Sequence, residues 1–190
     1  TTCDYPRDAW TLHSAKTGRY FLGHSTGNLD TIIIEGCTTN RFDVAMNVNA
    51  ASGKTIGNIH ASGFLDYNKT SCVSLVSGGG TITDCWFQKL YGVSTDGNCF
   101  NIDGTAGPVI NIYMTNVLSR LAGKNAFRIA GTGAQYIKAR DCTSIAANRR
   151  AAFNSPGDDC GFYVSATSNW SLEGCEVISG SGYYGFGIPV

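Results

Sequence analysis

The chain has 190 residues carrying 14 basic and 14 acidic side chains, so no charge excess recommends a nucleic acid or an anionic membrane surface as a partner. Only 15% of residues are charged and Gly alone contributes 24, with Ser, Thr and Asn abundant, a composition suited to short strands and tight turns and not to helices. Apolar runs never exceed a handful of residues, which excludes a bilayer-spanning helix, and no basic-then-apolar leader opens the chain, as expected of a mature or excised piece.

Self-similarity organises everything else. The type unit is Gly80-Thr81-Ile82-Thr83-Asp84-Cys85-Trp86-Phe87 followed by Asn98-Cys99-Phe100-Asn101-Ile102-Asp103-Gly104. A first, ragged version runs over 10–28 with Tyr20-Phe21-Leu22-Gly23. The next holds Ile32-Ile33-Ile34-Glu35-Gly36-Cys37 and Phe42-Asp43-Val44, and the third Ile59-His60-Ala61-Ser62 and Cys72-Val73-Ser74-Leu75. After the type unit come Ile112-Tyr113-Met114-Thr115 with Ala126-Phe127-Arg128-Ile129, then Ala139-Arg140-Asp141-Cys142 with Cys160-Gly161-Phe162-Tyr163-Val164. Leu172-Glu173-Gly174-Cys175 and Tyr184-Gly185-Phe186-Gly187-Ile188 close the series.

Equivalent positions form columns. Ile34, Ile59, Ile82, Ile112, Ala139 and Leu172 are apolar, and three positions later stand the small residues Cys37, Ser62, Cys85, Thr115, Cys142 and Cys175. Strand side chains alternate faces, so two inward positions three apart require a kink, and Gly36, Asp84, Asp141 and Gly174 supply types that tolerate positive φ. A second pair of columns reads Phe42, Val73, Phe100, Phe127, Phe162, Phe186 and Val44, Leu75, Ile102, Ile129, Val164, Ile188. Rungs of roughly 22 to 35 residues that bury their apolar faces only against one another describe a β-solenoid. A β-sandwich would not repeat its columns at a steady period, and helical repeats lack support from any 3.6-residue periodicity. Most of the eight cysteines fall in the stacked columns, which predicts buried free thiols, with some disulfides as the alternative. No Cys-x-x-Cys or zinc-type spacing with His is present, so no metal or other cofactor is expected.

These rungs resemble the single-stranded right-handed parallel β-helix of the pectate-lyase-like proteins, especially that of bacteriophage tailspikes and polysaccharide depolymerases. The resemblance lies in the repeat grammar of apolar column, Gly/Asp corner and Cys/Ser/Thr stack, and covers nearly the whole chain. It implies an all-β parallel β-helix of about seven rungs. Residues 1–28 form an irregular N-terminal rung or cap, 29–190 the solenoid, and the whole is a fragment or a subunit of a larger assembly. The resemblance further implies a homotrimer, located extracellularly on a virion tail, that binds bacterial capsule or O-antigen polysaccharide and degrades it as hydrolase or lyase. The rival expectation is a non-catalytic adhesin or a filament subunit.

Sites in such a fold are patches across rungs. The outward file expected to carry most chemistry is Glu35, His60, Thr83, Tyr113, Arg140 and Glu173. His60 and Tyr113 are proton-transfer candidates, and Arg140 suits a sugar carboxylate unless it bridges to Glu173 as an ordinary surface pair. Asp84 and Asp141, two rungs apart in one column at ~10 Å, are candidate hydrolytic carboxylates or, alternatively, turn residues. Asp103 with Asp96 is a further pair. The interruption 148–159 offers Arg149 and Arg150 as a binding loop or subunit contact. Trp86, Tyr163, Trp170 and Tyr183 are sugar-stacking candidates, Tyr163 being the best placed by alternation and Trp170 having a core role as its alternative.

Overall fold

The computed structural model describes residues 2–4, 19–25, 28–40, 42–94, 96–145, 147, 160–178 and 184–188. Among them there is no helix. One sheet runs β1 (Thr2–Asp4), β3 (Ile32–Asn40), β6 (Ile59–Asn68), β8 (Thr81–Ser94), β10 (Val109–Thr115), β13 (Ala134–Arg140) and β16 (Ser168–Glu173). It is extended by β5 (Thr55–Ile56), β11 (Leu118–Arg120), β14 (Thr143–Ile145) and β17 (Glu176–Ile178). The other runs β2 (Arg19–Ser25), β4 (Val44–Ala50), β7 (Ser71–Val76), β9 (Phe100–Asp103), β12 (Phe127–Ala130), β15 (Cys160–Ser165) and β18 (Tyr184–Gly187). Every pairing between these strands is parallel, each strand lying on its counterpart from the neighbouring repeat. The chain is therefore a parallel β-solenoid, of about five turns where about seven were expected. The described parts of 1–28, β1 and β2, pair in register with β3 and β4.

Two files of left-handed residues bend the first sheet. Thr31, Asn58, Asp84, Asn111, Tyr136 and Asn169 stack at the first bend, all with φ between 50 and 58. Gly36, Lys89, Asn116, Asp141 and Gly174 form the second, with φ between 49 and 59. Non-Gly residues adopt this conformation at a cost, and Asn and Asp bear it best because their short polar side chains bond locally. Four corners add a thiol: Cys37, Cys85, Cys142 and Cys175 each follow a corner residue and donate S–H to the carbonyl two residues back, at 3.3–3.6 Å. The corner function of Gly36, Asp84, Asp141 and Gly174 is thus present, but Asp84 bends a different place from the other three.

The second sheet is more regular. Phe100, Phe127, Phe162 and Phe186 stack with near-parallel rings at 5.0, 4.4 and 5.3 Å, close to the parallel-strand repeat. Leu75, Ile102, Ile129 and Val164 form the file beside them. Both predicted columns stand, except at their head: register puts Met46 on Val73 and Val48 on Leu75, displacing Phe42 and Val44. Cys72, Cys85, Cys99 and Cys142 are buried free thiols, Cys160 is buried, and Cys37 and Cys175 are half-buried and also free. Trp170 packs against the core edge, its alternative role.

Candidate functional site

Between the two bends, alternation turns every second residue of the first sheet outward. Ile32, Ile59, Cys85, Ile112, Ile137 and Trp170 form one inward file, and Ile34, Ala61, Phe87, Met114, Ala139 and Leu172 the next. The outward file between them is Ile33, His60, Trp86, Tyr113, Lys138 and Ser171. A second outward file reads Gln88, Thr115, Arg140 and Glu173.

The expected file is thereby split and corrected. His60 and Tyr113 do share one, but Trp86 stands between them where Thr83 was expected. Thr83 pairs with Ile110 on the other side of the first bend. Arg140 and Glu173 belong to the second file, and Glu35 sits in the register shift between Ile34 and Cys37.

His60 and Trp86 rings stack at 4.6 Å and 16°, and Trp86 and Tyr113 at 5.7 Å and 10°. Parallel rings this close largely cover each other's faces and show their edges to solvent. The outer faces of the stack belong to His60, next to Ile33, and to Tyr113, next to Lys138, and a depression lies beside each of these two rings. One, of about 170 Å3, is lined by Glu35, His60, Ser62, Trp86, Gln88 and Lys89. The other, of about 250 Å3, is lined by Tyr113, Thr115, Lys138, Arg140 and Glu173 over the backs of Met114 and Ala139. Each combines ring, cation, carboxylate and neutral polar groups. In the second, Arg140 Nη2 donates to Glu173 Oε2 at 3.2 Å, the exposed bridge that was the ordinary reading of this pair. Past the second bend Phe64, 58% exposed, and Tyr91 continue the aromatic surface with rings 5.7 Å apart.

The remaining candidates lie elsewhere. Asp84 is a corner at φ 55, its carboxylate accepting from Thr83 Oγ1 at 2.8 Å and Asn111 Nδ2 at 3.0 Å. Asp141 is a corner of the second bend, at φ 51. The two occupy different files, so the stacked pair at hydrolytic spacing does not form. Asp103 lies on the second sheet and accepts from Arg128 Nη1 at 2.8 Å and from the Thr105 amide at 2.9 Å. Burial pushes its carboxyl up, but the Thr105 and Arg128 hydrogen bonds and the guanidinium charge outweigh this and hold it below the usual range. Tyr163 also faces out on the second sheet, next to Arg128 and Gly187. Arg149, Arg150 and Tyr183 lie outside the described residues.

Lys89, Gln88 and Lys138 were missed. Lys138 was readable, since Ile137, Lys138, Ala139 and Arg140 alternate cleanly. Lys89 was not, because it is the corner residue (φ 49) of its own rung. Among the described residues no group of three or more His, Cys, Asp or Glu is arranged to hold a metal. Compared with known proteins, the chain matches no family model, no curated protein and no solved structure.

Proposed function

We propose that this chain belongs to a tailspike-like receptor-binding protein, a trimer carried outside the cell on a phage tail, that holds bacterial capsule or O-antigen polysaccharide along the outer face of its first sheet. The observation that supports this reading is the His60–Trp86–Tyr113 stack with a depression at each end. A pyranose presents apolar C–H faces and polar edges. An open ring face takes the first, and a cation, a carboxylate and an amide placed around it take the second. Two such stations along one axis suit a repeating ligand better than a small solitary one.

Degradation asks for more. Hydrolysis requires two carboxylates flanking one bond, and each depression holds one, Glu35 or Glu173, the latter engaged by Arg140. Asp84, Asp103 and Asp141 are occupied as corners or in an ion pair. The binding-only adhesin is therefore favoured over the depolymerase.

One titration separates these readings. A panel of capsular and O-antigen polysaccharides is added to the protein while tryptophan fluorescence is followed, and the mixtures are assayed for new reducing ends and for the absorbance of an elimination double bond. Saturable binding without either product is expected, with Tyr113→Ala weakening it on the order of tenfold, about 1.4 kcal/mol. Product formation would restore the depolymerase. Binding that survives Tyr113→Ala unchanged removes the aromatic face from the proposal.

A further inference from the structure

Two pairs of cysteines stack across neighbouring rungs, and they differ in access. Cys72 and Cys99 are both wholly buried, with their sulfurs 3.1 Å apart. Burial, foremost, pushes the Cys72 thiol up, and no solvent reaches it. Cys142 and Cys175 sit at the second bend of the first sheet, after the corner residues Asp141 and Gly174. Cys142 is buried and Cys175 half-buried.

From this geometry we infer that Cys175 and Cys142 form a redox-active dithiol, oxidised by small neutral or cationic organic disulfides to a disulfide that ties the last two described rungs together. Strand register supplies the alignment. Thr143 pairs with Glu176, and the Glu176 amide donates to the Cys142 carbonyl at 2.9 Å, so the two cysteines are direct cross-strand neighbours. Parallel neighbours lie ~4.8 Å apart, inside the range of about 4.4–6.8 Å that a disulfide spans between Cα atoms.

The two sulfurs also divide the roles. The neighbouring Cys142 thiol, against the opposing effects of burial and of Asp141, lowers Cys175 to about 7. The adjacent Cys175 sulfur, with burial, pushes Cys142 up, so it keeps its proton. Cys175 is the attacking thiolate and Cys142 the resolving thiol. The Cys175 thiolate attacks one sulfur of the incoming disulfide, breaking its S–S bond and expelling a thiolate, which takes a proton. Cys142 then gives up its proton and attacks Cys175 in the mixed disulfide, expelling the second small thiol. Two protein thiols are oxidised and one small disulfide is reduced to two thiols. Asp141, Glu173 and Glu176 surround the site, with Arg140 spent on Glu173, so an anionic disulfide is disfavoured.

The structure contains its own control. Cys37 is another half-buried corner thiol, following Gly36, but its register partner is Gly63, so it has no resolving neighbour there. The intact chain is treated with cystamine at pH 7, and thiols are mapped by mass spectrometry after acid quench and non-reducing digestion. The expected result is a Cys142–Cys175 cross-link, with Cys175 reacting about threefold faster than an ordinary thiol, its larger thiolate fraction outweighing its lower nucleophilicity. Cys37 stops at a mixed disulfide, and Cys72, Cys85 and Cys99 remain thiols. Cys142→Ser should trap one cysteamine on Cys175. If that variant does not fold, the wild-type time course still decides, through a transient Cys175 adduct that disappears as the cross-link grows. A Cys175 adduct that persists in the wild type, or equal rates and end products at Cys175 and Cys37, overturns the inference.

Discussion

Both sheets carry a ladder of stacked rings at the strand repeat, but on opposite sides of the backbone. On the second sheet Phe100, Phe127, Phe162 and Phe186 point inward and are sealed apart from the last. On the first, His60, Trp86 and Tyr113 point outward. Parallel in-register stacking supplies the spacing in either case, so burial alone separates a ladder that holds the fold from one that is free to hold a ligand. Removing a ring from each should expose the difference. Phe127→Ala, in the middle of the inner ladder, is expected to cost about 3–5 kcal/mol. Trp86→Ala should cost no more than ~1 kcal/mol in stability. Denaturant titration measures both, and equal losses would mean that the outer rings are structural.

The bends differ as well, since among the described residues the first sheet has left-handed files of five and six members, while beside the second sheet Gly131 and Ala166 make an aligned pair. Asp84 shows what they require. Its φ of 55 suits Gly, is borne by Asp or Asn, and is strained for a β-branched residue. Asp84→Val is expected to destabilise by about 1–3 kcal/mol, combining backbone strain with loss of the Thr83 and Asn111 bonds. Asp84→Gly should cost clearly less, because it keeps the bend. Should the two variants melt together, the corner conformation is not what selects this residue.

That contrast also explains which parts of the molecule were legible in the sequence. Phe100, Phe127, Phe162 and Phe186, each two residues before an aliphatic or its equivalent, mark one uninterrupted strand file, and spacing alone aligns them. The head of that file misled because Phe42 and Val44 imitate the pattern that Met46 and Val48 fulfil. On the first sheet Glu35-Gly36-Cys37, Thr83-Asp84-Cys85, Arg140-Asp141-Cys142 and Glu173-Gly174-Cys175 look equivalent. Locally they are, each with a left-handed residue and a thiol bonded to the carbonyl two residues back. Yet Asp84 stands at the first bend and the others at the second. Aligning on the motif slid β8 out of register, put Thr83 where Trp86 belongs, and stacked Asp84 over Asp141. Local chemistry identified the corners; which corner each one makes depends on pairing with neighbouring rungs, illustrated by Tyr136, whose left-handed backbone nothing in its side chain announces.

The smallest expected effects compare one ion pair on each sheet. Arg128 and Asp103 approach to 2.8 Å with side chains 26% and 21% exposed, while Arg140 and Glu173 lie 3.2 Å apart at 65% and 55%. The exposed pair should contribute less than ~0.5 kcal/mol, with Glu173→Gln nearly silent and any residual effect erased by added salt. The sheltered pair should show in the pH profile. The folded carboxyl of Asp103 lies below its unfolded value of about 3.9, so in the acid range the unfolded chain binds the extra proton. Its contribution is then fully present above that pH and is lost as pH falls through the lower, folded value. Wild type minus Asp103→Asn stability, from denaturant midpoints, should stay constant from pH 7 to about 5 and shrink below about 4. A difference that instead grew on acidification would have the wrong sign for a depressed carboxyl, and would mean that burial, not Arg128 and Thr105, sets the protonation of Asp103.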